Sequence, residues 1–127
     1  VKNNFFRVGP DFNFTLFEDW NLWGSYLYGE DDNGLFQTAG SGKIKSWGGF
    51  TGVTHILNDD WMLSLLHNYV DVDRKPNLNV NVITANLSYY LMRNLKFMFE
   101  VTGDIQNTSA NHTKKTHTGV FGVVFAY

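Results

Sequence analysis

The four histidines are the residues of this sequence with the widest range of possible chemistry. His112 and His117 lie five residues apart, on either side of two lysines. Neighbouring ammonium groups repel a metal cation, so this spacing indicates a solvated loop. His55 and His67 flank a turn at 58–60 and could pair across it, but no third ligand accompanies them. We therefore predict structural histidines, no metal site and no cofactor.

Ser64 and His67 are the closest pair that could act as a nucleophile and its base. Three residues apart on a strand, they project to opposite faces and cannot share a hydrogen bond. The segment Gly40-Ser41-Gly42-Lys43 is similar to the end of a phosphate-binding loop. Leu35 replaces the first glycine of that motif, however, and no helical pattern follows. The sequence therefore predicts that the protein is not an enzyme.

A third candidate is a set of polar side chains on one face of a predicted strand. Lys96, Glu100 and Asp104 recur at intervals of four residues, or about 13 Å. Such a ladder could select solutes in an aqueous channel, and it could equally brace the interior of a small filled barrel. The predicted lumen-lining residues are Lys96, Glu100, Thr102, Asp104, Asn86 and Ser88.

The chain that must position these residues is poor in charge and rich in rings. Charged and aromatic residues each make up 17% of its 127 residues, the net charge is -2 and cysteine is absent. This composition excludes disulfides and gives no basic field for nucleic acid. No apolar run approaches the ~20 residues of a membrane helix. The length predicts a single domain over 1–127.

Alternation of apolar and polar residues predicts an all-β chain of about seven strands. The pattern is clearest at 95–106 and at 6–17, where Pro10 interrupts the apolar side and indicates a bulge or an edge strand. A change of phase predicts a second bulge near Val82. The segments 20–29, 43–56 and 61–72 are apolar on both faces, so the pattern leaves their facing open. The last strand begins at Lys115.

The predicted strands favour a transmembrane barrel over a soluble sandwich. They have ten or more residues, near the 9–11 that cross a bilayer, and short polar turns alternate with longer loops. Trp and Tyr also cluster near the strand ends, as in the two aromatic girdles of such a barrel. The predicted girdles comprise Trp20, Trp61, Tyr89, Tyr90 and Tyr127 at the short turns, and Tyr26, Tyr28, Trp47 and Tyr69 at the long loops.

The terminal segment TGVFGVVFAY resembles the C-terminal signature of bacterial outer-membrane β-barrel proteins. Phe121, Val123, Phe125 and Tyr127 match its alternating apolar positions and final aromatic residue. The turns at 19–22 and 90–97 are similar to those of larger porins, loosely the phosphate-selective type and the porins that sheathe cytochromes. The resemblance implies that these residues are an assembly signal for the barrel-assembly machinery, with short turns in the periplasm and long loops outside.

The resemblance also implies a function and a set of partners. The leading expectation is an antiparallel transmembrane β-barrel of a Gram-negative outer membrane, a porin that passes small polar solutes or ions by diffusion. The chain would be the C-terminal part of a longer barrel, because seven strands place its ends on opposite sides. The alternatives are a sheath around a cytochrome, a small anchor or adhesin, and a lipid-modifying enzyme.

The expected partners are membrane lipid, lipopolysaccharide, and either a second copy of the chain or a periplasmic cytochrome. Cations near the outer strand ends could contact lipopolysaccharide phosphates, or they could simply solvate the rim. These cations are Lys43, Lys45, Arg74, Lys75, Lys114 and Lys115.

Overall fold

The structure is a computed structural model, and it describes residues 3–33, 42–73, 78–105 and 117–125. These residues form one antiparallel sheet, in which each strand from the second onward pairs with the next strand of the chain. The strands are β1 (Phe5–Val8), β2 (Asp11–Leu16), β3 (Trp20–Asp31), β4 (Ile44–Ile56), β5 (Trp61–Val72), β6 (Val80–Met92), β7 (Leu95–Asp104) and β8 (His117–Phe125). None of the described segments contains a helix that could span a membrane.

β1 and β2 are one edge strand interrupted at Pro10. Both pair with β3, and the register continues from Val8 opposite Tyr28 to Asp11 opposite Ser25. The carbonyl of Pro10 still accepts a hydrogen bond from the Tyr26 amide at 3.0 Å. Proline has no N–H to offer a ladder, so it fits an edge. The edge prediction is therefore confirmed, with no bulge, and the eight strands correspond to the seven predicted.

The bulge predicted near Val82 is wrong. β6 pairs with β5 and β7 in unbroken register past Val82, and the only shift in the β6–β7 pairing lies between Tyr90 and Met92. Val80 and Val82 are out of phase with the apolar residues that follow because they lie on the other face of the sheet. β6 therefore carries apolar residues on one face before Ile83 and on the opposite face from Ile83 onward, which accounts for the apparent change of phase.

The sheet is open and has almost no core. β1 and β2 form one edge and β8 the other, and these edges do not pair with each other among the described residues. Ile44, at 7% exposure, is the one large apolar side chain in the described segments that is buried. The accessible surface is 9302 Å², against about 6,900 Å² for a typical folded chain of this mass. The sheet therefore requires a covering on its apolar surface.

Candidate functional site

The register assigns every strand residue to one of two faces, because directly opposed residues in an antiparallel pair point the same way. One face, here called the apolar face, contains a row of opposed residues that crosses from β3 to β8. The row consists of Trp20, His55, Leu63, Leu87, Phe99 and Phe121. The strand residues that alternate with these point to the opposite face, which is here called the mixed face.

Rings lie at both ends of the strands on the apolar face. At the short turns Trp20 stacks on His55 with centroids 4.0 Å apart, and Trp61 contacts Tyr89 at 4.6 Å. At the other end Tyr28 lies opposite Trp47. Seven of the eight predicted girdle residues in the described segments share this face, namely Trp20, Trp61, Tyr89, Tyr26, Tyr28, Trp47 and Tyr69.

The two groups of rings are separated by a constant distance. Tyr28 follows Trp20 by eight residues on β3, and Tyr69 follows Trp61 by eight residues on β5. That spacing is about 27 Å along a strand. Between the rings the apolar face is largely aliphatic and aromatic, and its side chains are open: Phe99 is 54% exposed and Phe121 68%. On β3 and β5 the apolar band between the rings therefore has the same height.

The strand ends are staggered in one direction. The row that starts at Trp20, the first residue of β3, reaches β8 at Phe121, yet β8 continues four residues further, to Phe125. β7 likewise begins at Leu95, four residues before Phe99. From β3 to β8 the line of turns moves four residues along the strands while it crosses five strand spacings. It is therefore inclined by about 30° from the perpendicular to the strands. The strands are thus tilted relative to the band.

Apart from His55 beside Trp20, the polar side chains that interrupt the apolar face lie toward its loop end. The Tyr26 hydroxyl lies 2.8 Å from that of Thr51, and Nε2 of His67 lies 2.8 Å from Oδ1 of Asn81. Each of these groups therefore has a hydrogen-bond partner. His67 lies opposite Thr51 and His55 opposite Leu63, so the pairing of the two histidines considered from the sequence is wrong. His55 stacks on Trp20, and His67 lies beside Asn81.

The mixed face carries a continuous polar row. Its members are directly opposed from β2 to β7 and are Thr15, Asn21, Thr54, Ser64, Asn86 and Glu100. The hydroxyls of Thr54 and Ser64 are 3.2 Å apart, and Ser88 donates to Asn86 at 2.9 Å. One row nearer the loops, the Thr84 and Thr102 hydroxyls are 2.8 Å apart. Hydrogen-bonding groups therefore cross this face from strand to strand.

The predicted lumen-lining residues all lie on the mixed face, together with this row. They are Lys96, Glu100, Thr102, Asp104, Asn86 and Ser88. Ser88 is buried at 1% exposure, so its hydroxyl is covered within the sheet and is not available on the open face. The ammonium of Lys96 lies 5.5 Å from the centre of the Tyr90 ring. Tyr90 therefore belongs to the mixed face, and its inclusion in the aromatic girdle was wrong.

Three of the predicted assembly-signal residues lie on β8, at the edge of the sheet. Phe121, Val123 and Phe125 share the apolar face of β8, and the ring of Phe97 on β7 stacks on Phe121 at 6.3 Å. Several predicted residues lie outside the described segments. They are Tyr127, Arg74, Lys75, Lys114, Lys115 and His112.

Ion pairs gather at the loop end. Arg7 bonds Asp31 at 2.6 Å on the mixed face, and Lys43 bonds Glu30 at 2.6 Å. The hydrogen bond and charge of Glu30 raise the pKa of the Lys43 ammonium. Because Lys43 is exposed, water screens the pair and it adds little stability. Both ion pairs of the described segments thus lie at the loop end.

The described residues contain no group of three His, Cys, Asp or Glu side chains that could hold a metal. Ser64 lies on the mixed face and His67 on the apolar face, as their spacing predicts. The remaining candidate chemistry is therefore hydrogen bonding along the polar row.

Sequence reasoning missed four of the six residues of that row, and Trp23 on the same face of β3. Thr15, Asn21, Thr54 and Ser64 lie on four different strands, so only the register brings them together. The alternation within each strand was a usable signal, but three of the strands were apolar on both faces.

Comparison with protein family models, with curated proteins and with solved structures finds no match to this chain.

Proposed function

We propose that this chain is part of the wall of a transmembrane β-barrel, with the apolar face against lipid and the mixed face toward the lumen. The observation that carries the proposal is the inclined apolar band bounded by rings. Its 27 Å length along the strands corresponds to about 24 Å along the membrane normal at a tilt of about 30°. Transmembrane barrels have an apolar band of about 25 Å, aromatic girdles and strands tilted by about 35–45°.

Exposure of the rings on the apolar face supports the same proposal. A soluble sheet buries one face against another layer, whereas here Phe14, Phe99 and Phe121 are each more than half exposed. Hydrocarbon would cover these rings without a second layer. The sheet edges would have to pair with further strands, because unpaired backbone groups are costly in lipid.

The function that this architecture favours is that of an outer-membrane porin passing small polar solutes by diffusion. The polar row and the threonines beside it supply hydroxyl and amide groups to a water-filled lumen. The charged side chains of the mixed face, among them Lys96 and Glu100, would bias which solutes pass. Diffusion through such a lumen requires no catalytic group.

Conductance in planar bilayers tests this function. The full-length native protein should produce discrete current steps in a salt solution, because a lumen lined by polar groups conducts ions. Protein denatured before reconstitution is the control and should be silent. If the natively folded protein inserts and never conducts, the porin proposal is wrong.

A second candidate, a sheath around an inserted partner, is favoured by an apolar row on the mixed face. Leu27, Gly48, Val70 and Val80 are directly opposed there, and Leu27 is 48% exposed. A water-filled lumen would leave this row wet, whereas a protein segment in the lumen would cover it. The sheath predicts a co-purifying partner, with haem absorbance if that partner is a cytochrome, and little conductance while it is bound.

A further inference from the structure

The indole of Trp23 lies flat on the mixed face, beside the polar row. A Cβ on Gly52 would meet three atoms of that ring, Cε2 and Cζ2 at 2.5 Å and Cδ2 at 3.0 Å. The ring therefore lies directly over the glycine, which is buried beneath it. Its Nε1 donates to Oγ1 of Thr54 at 3.3 Å, and the Phe50 ring meets it edgewise at 5.6 Å. One side of the indole is thus held against the sheet and the other faces away from it.

Four polar, uncharged side chains lie near the indole, in addition to the Phe50 ring. Asn13 lies directly opposite Trp23, and Asn21 precedes it by two residues on the same face. The Asn21 amide donates to Oδ1 of Asn13 at 2.7 Å. The hydroxyls of Thr54 and Ser64 complete the surround on the next two strands. Two amides and two hydroxyls therefore border a flat ring, and none of the four carries a charge.

This arrangement suits a particular class of ligand. The face of an aromatic ring is electronegative and attracts the weakly positive C–H groups of a flat partner. The amides and hydroxyls both donate and accept hydrogen bonds, so they match a ligand whose rim bears hydroxyls. A sugar ring presents C–H groups on its faces and hydroxyls at its rim. A simple ion would gain little, because no full charge faces it.

We propose that Trp23, with Asn13, Asn21, Thr54 and Ser64, forms a binding site for neutral sugars on the lumenal wall. The proposal names a class of solute for the porin. It rests on the porin function for the lumenal position of the site. The sugar stacks on the free side of the indole while its hydroxyls exchange water for the four polar side chains.

Direct binding to the full-length protein in detergent tests the site without requiring conduction. Isothermal titration calorimetry with maltotriose should give a saturable binding signal for the native protein. Trp23→Ala should weaken binding by about tenfold, as expected for the loss of one aromatic contact. Ser64→Ala should weaken binding less. It leaves the indole in place and therefore tests the site even if Trp23→Ala fails to fold. Trp47→Phe, on the apolar face, is the matched control and should bind normally.

Conductance separates this proposal from the porin function. Maltotriose should reduce the current through the native protein, and polyethylene glycol of similar size should reduce it less. A protein that binds maltotriose through Trp23 but never conducts would refute the porin and keep the site. The sugar site is wrong if maltotriose does not bind, or if Trp23→Ala and Ser64→Ala bind it as well as the native protein does.

Discussion

Phe99→Arg should lower the free energy of unfolding of the full-length protein in lipid vesicles by about 2–4 kcal/mol, the cost of a cation on the lipid face at the midplane. Phe99 is 54% exposed on the apolar face, and on β7 it lies midway between Leu95 at the turn end and Gly103 toward the loops. Urea-induced unfolding followed by tryptophan fluorescence measures the change.

Glu100→Arg is the matched control for that prediction. It introduces the same cation one residue along β7, on the mixed face, where water would solvate it. We expect a change within about 1 kcal/mol, the size usual for exposed substitutions. If the sheet were exposed to water on both faces, Phe99→Arg would be as mild as its control. Equal effects of the two substitutions would therefore contradict the assignment of faces.

Gly49→Ala should destabilise the protein by about 3 kcal/mol, at the upper end of the usual cost of overpacking. A Cβ at Gly49 would lie 1.9 Å from the Ser25 carbonyl oxygen and 2.8 Å from Cα of Tyr26. Both atoms belong to the backbone of β3, so no side-chain rotation relieves the clash and the β3–β4 ladder must shift. The same urea experiment measures the loss.

Gly119→Ala tests whether the effect comes from the close approach or from glycine in a strand. The nearest atom to a Cβ at Gly119 is the Glu100 carbonyl oxygen at 3.9 Å, an ordinary contact. We expect a change of less than about 1 kcal/mol, toward greater stability, because alanine restricts the unfolded chain. A loss at Gly119 as large as the loss at Gly49 would show that the close approach is not the cause.

The sequence predicted the strands well because alternation and turn residues are local signals. β5 begins at Trp61 and ends at Val72 as predicted, and β7 begins at Leu95. The opposite facing of Ser64 and His67 also followed from spacing alone. Long regular strands separated by polar turns leave little freedom in where each strand begins.

The sheet-wide features required the register, which no single strand specifies. Trp23 is one of several rings on a strand that is apolar on both faces, so its position over Gly52 depends on the pairing of β3 with β4. The polar row likewise assembles one residue from each of six strands. The false bulge at Val82 has the same origin, since the valines of β6 before Ile83 project to the mixed face.

The measurement that tests the central claim most directly is the accessibility of spin labels along β7 in lipid vesicles. The sequence lacks cysteine, so single cysteines from 96 to 102 can each carry one label. We predict that labels at Phe97, Phe99 and Val101 respond to oxygen dissolved in the bilayer, while labels at Lys96, Glu100 and Thr102 respond to a water-soluble nickel complex. Accessibility that does not alternate, or labels at 97, 99 and 101 shielded from both reagents, would contradict the assignment of the apolar face to lipid.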